Sequence, residues 1–109
     1  MNILDDVLYK EILEKEISIK ELQMQLLRLP KGSIQVRKTS KEAYAYRKWR
    51  EGDKVLSEYL GPLSSKKTLE KITKVNEYKA MLERLKKEEE ALKELKKAYK
   101  LILMKTKLN

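Results

Sequence analysis

The 109-residue chain has no cysteine, no histidine and no phenylalanine, and only three glycines and two prolines. Without cysteine there is no disulfide framework and no thiolate zinc site, which suits a reducing compartment. Without cysteine or histidine the chain also lacks the usual sulfur and nitrogen metal ligands, the commonest general base and the thiol nucleophile. Gly32, Gly52 and Gly61 are scattered, so no glycine-rich loop can cradle a phosphate. A tyrosine nucleophile would need an activating partner, and none stands near one in the sequence. The expectation is therefore a protein that is not an enzyme, with no catalytic residue, no cofactor and no metal. Long apolar runs are missing too: nothing approaches the roughly 20 residues of a membrane span. The start, "MNILDDVLYKEILEKE", carries acids where an export signal needs bases. A soluble, cytoplasmic protein that does not enter membranes is expected.

Charge and periodicity are what the chain does have. Charged residues make up 39% and hydrophobic ones 41%, the balance of long surface-exposed helices, and 109 residues suit a single domain, 1–109. The net charge of +9 is uneven. Residues 1–27 hold six acidic and three basic groups, whereas 28–54 hold nine basic and three acidic, and 93–109 six basic and one acidic. A basic excess concentrated in one segment and interleaved with aromatics is the footprint expected for a polyanion.

Three segments follow from the hydrophobic pattern. Over about 3–29 apolar residues recur at Leu8, Ile12, Ile19, Leu22, Leu26 and Leu29 in alternate steps of four and three that only Lys15 interrupts, so this is an amphipathic helix. Asn2 can cap it, Asp5 and Asp6 suit its positive end, and Pro30 with Gly32 ends it. Over about 33–61 the period falls to two. "SIQVRKT", "EAYAYRKW" and "KVLSEYL", separated by "SK" and "GD", read as a three-stranded antiparallel meander. Over about 64–105 a second helix, capped by Ser64 or Ser65, carries Leu69, Ile72, Leu82, Leu85, Leu92, Leu95, Tyr99 and Ile102. The fold class is α+β: a long antiparallel helical hairpin, coiled-coil-like, with a β-meander inserted between its helices. At 1.5 Å per residue the helices are about 40 Å and 60 Å long. If both meet the meander at one end, roughly the last dozen residues of the second helix lack a partner. Leu92, Leu95, Tyr99 and Ile102 would then form an oligomer or partner interface, most simply that of a homodimer. The run "KKEEE", 86–90, reads as a solvated face held by helical pairs such as Glu83 with Lys87 and Glu89 with Lys93.

The meander's faces can be assigned. With Gly52 and Asp53 as a type II′ turn, Trp49 lies opposite Leu56, Arg47 opposite Glu58 and Tyr46 opposite Tyr59. A turn at Ser40 and Lys41 sets Val36 opposite Ala45 and Arg37 opposite Tyr44. One face then carries Ile34, Val36, Ala43, Ala45, Trp49, Leu56 and Leu60 and can cover helices. The other carries Gln35, Arg37, Tyr44, Tyr46, Lys48, Ser57 and Tyr59, and it faces water, because drying it would bury Arg37 and Lys48 at high cost. Rings on which bases stack, among cations that neutralise phosphate, are the equipment of sheet-based single-strand and RNA binders. The candidate nucleic-acid-binding residues are Arg37, Lys38, Lys41, Tyr44, Tyr46, Lys48, Arg50, Lys54 and Tyr59.

The stretch "LPKGSIQVRKTSKEAYAYRKWREGDKVLSEYLGP", residues 29–62, resembles a family of short uncharacterised bacterial and archaeal proteins. Their central unit runs Pro-x-Gly-x-Ile, an aromatic-rich strand, a glycine turn, Lys-Val and a closing Tyr-Leu-Gly. It is also similar to the β-meander at the N-terminus of some insertion-element transposases, whose catalytic domain has no counterpart in this sequence. The matching positions are Pro30, Gly32, Ile34, Tyr44, Tyr46, Arg50, Gly52, Lys54, Val55, Tyr59, Leu60 and Gly61. The resemblance implies a phage or mobile-element setting and association with nucleic acid. Two readings stand: a basic nucleic-acid-binding module of that type, and a protein-binding inhibitor of a host nuclease in the manner of anti-CRISPR proteins, or a coiled-coil adaptor.

Overall fold

A computed structural model describes residues 3–108, with the side chains of 106–108 excepted. The elements run α1 (Ile3–Leu26), β1 (Ser33–Lys38), β2 (Ala43–Glu51), β3 (Lys54–Pro62) and α2 (Lys66–Leu108). This is the expected helix, antiparallel three-stranded sheet and helix, an α+β fold with strand order β1-β2-β3. The proposed cap Asn2 lies outside the described residues. Helix α1 ends three residues before the expected Leu29. Arg28 N–H donates to Gln25 O at 3.1 Å and Leu29 N–H to Leu26 O at 3.2 Å, a tighter terminal turn. Pro30 explains it, having no N–H of its own and disfavouring helical backbone at the residue before it. At α2 the carbonyl of Ser65 accepts from Leu69 N–H at 3.1 Å, so Ser65 occupies the cap position, while the Ser64 hydroxyl donates to Glu42 Oε1 at 2.9 Å.

Two compact units make up the chain, with α2 contributing to both. One unit joins residues 3–24 to 83–108, an antiparallel helical pair. Tyr9 meets Tyr99 with ring centroids 6.1 Å apart, and Lys15 meets Glu88. Lys96 reaches Glu16 at 3.5 Å. Ile12, Ile19, Leu22 and Leu85 are buried in this unit. Each such side chain contributes about 1.5–3 kcal/mol by leaving water.

This pairing overturns the expected overhang. The first half of α2, residues 66–82, belongs to the sheet unit, so α1 pairs with 83–108. Residues 3–24 then face 83–108, 22 residues against 26, and the lengths match to about one helical turn. Leu92, Leu95, Tyr99 and Ile102 are half-buried within their own chain and are not a free stripe. Lys15, the interruption in the α1 pattern, is explained by the same seam: its Nζ lies 2.7 Å from Glu88 Oε2, with side-chain exposures of 31% and 20%. That enclosed oxygen takes the ammonium as a close ion pair rather than as an aligned hydrogen bond. Glu88 thus leaves the solvated face that the "KKEEE" run suggests.

The second unit, Gln25–Leu82, holds the sheet and the first half of α2. Every expected pairing is present: Val36↔Ala45, Arg37↔Tyr44, Tyr46↔Tyr59, Arg47↔Glu58 and Trp49↔Leu56. Gly52 has φ +60° and, among the described residues, no non-glycine has positive φ, as a type II′ turn with Gly first requires. The register then breaks between Ala45 and Tyr46: Tyr46 pairs with Tyr59 but Ala45 with Gly61, so Leu60 is the extra residue of a β-bulge. Leu60 turns inward, and Ala45, Thr68 and Val75 are buried with it. Thr68 Oγ1 donates to the carbonyl of Leu60 at 3.4 Å. Gly61, at φ +131°, is the close approach between sheet and helix, since a Cβ there would stand 2.3 Å from Thr68 Oγ1. Leu69, expected on the apolar stripe, is 50% exposed, and Thr68 takes the buried position instead. Among the described residues no helix is long and apolar enough to cross a membrane.

Candidate nucleic-acid interface

Strand β2 is central, so its alternation decides both faces of the sheet. Ala45 is fully buried, Trp49 shares a cavity with Tyr78, Lys79 and Leu82, and Arg47 shares one with Leu60, Lys71 and Val75. These residues face α2. Val36, on the edge strand, is 43% exposed, so β1 covers the helix only in part. Arg47 is held on this side: its guanidinium lies 3.7 Å from the Trp49 ring centre, Nη1 donates to Lys31 O at 2.8 Å and Nη2 to Glu58 Oε2 at 3.5 Å. Its side chain is only 14% exposed, which removes it from any contact with a polyanion.

The opposite face carries Tyr44, Tyr46 and Tyr59 as one cluster. Tyr59 lies 5.3 Å from Tyr46 and 6.2 Å from Tyr44 between ring centres, the planes tilted by 57° and 46°. Such tilted pairs add about 0.5–1.5 kcal/mol beyond burial. The Arg37 guanidinium stands 5.0 Å over the Tyr46 ring, a cation–π contact on the water side of the sheet. Tyr44 and Tyr46 are half-buried by these neighbours, and Tyr59 is 53% exposed. None of the three is sealed under apolar side chains. The Tyr59 hydroxyl is pushed above its ordinary range, first because neighbouring groups displace some of its water although the residue stays largely open, then by Tyr44, Tyr46 and the Glu42 carboxylate.

The register distributes the remaining candidates. Lys48, opposite Ser57, and Arg50, opposite Val55, share the parity of Tyr44 and Tyr46 and extend their face. Lys38 pairs with Ala43 and Lys54 with Glu51, positions of the opposite parity, and Lys41 sits in the Thr39–Glu42 turn closed by Thr39 N–H to Glu42 O at 2.8 Å. The structure therefore brings together Arg37, Tyr44, Tyr46, Lys48, Arg50 and Tyr59, and leaves Lys38, Lys41 and Lys54 at the margins. Sequence reasoning passed over Val55, 60% exposed on the open face, although its place opposite Arg50 follows from the Gly52 turn. Among the described residues no acid occupies a register position between Ser33 and Tyr59 on this face. No group of three or more carboxylates there could hold a metal ion.

Residues 9–71, spanning most of α1, the whole sheet and the start of α2, match one family profile, and the chain belongs to that family, a domain of unknown function designated DUF6788. Comparisons with curated proteins and with solved structures return no match.

Proposed function

We propose that the chain is a basic nucleic-acid-binding module whose contact surface is the open face of the sheet, and that it prefers single strands. The observation that carries the reading is the cluster Tyr44, Tyr46 and Tyr59, with Arg37 over Tyr46, on a face with cations and no acid at its register positions. Unpaired bases stack on such rings whatever their identity, and Arg37, Lys48 and Arg50 neutralise the phosphates between them. A duplex hides its base faces and can use only the cations. The phage or mobile-element setting rests on the resemblance of residues 29–62 alone.

Fluorescence anisotropy with labelled single-stranded DNA, single-stranded RNA and duplex of equal length, in dilute salt, tests this. Stacking is worth about 1–3 kcal/mol per base, so Tyr46→Ala should weaken single-strand binding by about 5- to 150-fold while duplex binding changes little. Absence of affinity for all three nucleic acids would sink the proposal. Retention of a host protein from nuclease-treated extract, in the same circumstances, would point to the inhibitor reading.

A further inference from the structure

The helical-pair unit contains an acidic, aromatic-walled cavity that nucleic-acid binding does not use. It measures about 220 Å³ and is lined by Asp5, Asp6, Tyr9, Tyr99 and Leu103. Asp5 is only 6% exposed, yet its Oδ1 has no hydrogen-bond partner. A buried carboxylate oxygen without a partner is costly, and the place of Asp5 in the first turn of α1 offsets part of that cost at most. The rest of the lining indicates what would complete it. Tyr9 and Tyr99, 6.1 Å apart and inclined at 39°, present ring surface beside the two carboxylates. A hard divalent cation needs six or more oxygen ligands and gains nothing from rings or a leucine. An alkyl ammonium or guanidinium gains from all of them: it donates charge-assisted hydrogen bonds to the carboxylates, is attracted to the tyrosine rings by cation–π interaction, and rests its stem against Leu103.

We propose that this cavity binds an organic cation, a primary ammonium or guanidinium carried on an alkyl stem. The group is either a free amine or the end of a basic side chain on a partner. The site is independent of the sheet face, and its local charge is opposite to that of the chain as a whole.

The test is NMR titration of the full chain, following the ring signals of Tyr9 and Tyr99, with agmatine as the free amine and an acetylated, amidated Gly-Arg-Gly peptide as the side-chain source. Saturable shifts at both rings, lost with 1-butanol as a neutral analogue, support the site; a response to agmatine alone assigns a free amine, and a response to the peptide assigns a basic side chain. Asp5→Asn keeps the shape and removes the charge, and should weaken binding by at least about tenfold. Tyr9→Leu, at a half-exposed position, should weaken it several-fold with unchanged helical content. Single-strand binding by the sheet face should be the same in both variants. No saturable shift with either cation, an equal response to butanol, or undiminished binding by Asp5→Asn overturns the proposal.

Discussion

Salt dependence separates the open face of the sheet from the basic segment as a whole. Each phosphate neutralised on a single strand contributes about −0.7 to the slope of log affinity against log salt. The strand register gives the face three cations, Arg37, Lys48 and Arg50, so the slope should be about −2. Raising salt from about 50 to 200 mM should then weaken binding about 20-fold, whereas engagement of Lys38, Lys41 and Lys54 as well would give a slope near −4 and a loss of about 300-fold. Lys48→Ala should reduce the slope to about −1.4, so that the same change of salt costs about sevenfold. Arg47 is the control, one residue away and just as basic in sequence. Held between Trp49, Lys31 O and Glu58, it should leave the slope unchanged when replaced by alanine. The assay is anisotropy with a labelled 12-mer at five salt concentrations. A slope indistinguishable from zero, or one altered by Arg47→Ala and not by Lys48→Ala, would refute the assignment of the face.

Three further outcomes follow from the packing. Gly61→Ala places a Cβ against the buried Thr68 hydroxyl at φ +131°, and left-handed strain alone costs about 1–3 kcal/mol, so the melting temperature of the sheet unit should fall by roughly 10 °C or more; an unchanged melt by circular dichroism would contradict the close approach. Lys15→Leu leaves Glu88 in the helical seam without its cation and should destabilise by about 1–3 kcal/mol in urea, while Lys15→Leu with Glu88→Leu should recover most of that loss; a double variant no better than the single would refute the pairing. Because the folded state holds Tyr59 above its ordinary value, unfolding releases its proton more readily. Its contribution to stability is complete below the ordinary tyrosine range near pH 10 and is lost as pH rises through the folded value. Tyr59→Phe should flatten the alkaline fall in stability and remove a tyrosine that ionises above the ordinary range in a 295 nm titration.

Local periodicity and turn chemistry were enough to read the element order, the strand register and the two faces of the sheet. Gly52 followed by Asp53 suits a two-residue type II′ hairpin, and once that turn is set each residue of β2 has one partner and one side. The tyrosine face was legible because burying Arg37 and Lys48 is costly, an argument that needs no coordinates. Four features depended on contacts distant in the chain. The bulge at Leu60 is fixed by what Ala45 and Gly61 meet across the sheet. Alternation already sends Arg47 and Lys48 to opposite faces, but the packing of Trp49 and Glu58 that holds Arg47 in place is supplied only by the fold. Lys15 looked like a flaw until Glu88, 73 positions on, stood opposite it. That residues 66–82 of α2 belong to the sheet unit while 83–108 pair with α1 is a division that no window of sequence contains. Sequence alone determined what is local, the periods and the turns; tertiary structure decided which of several similar side chains were buried, because burial depends on neighbours that the fold supplies.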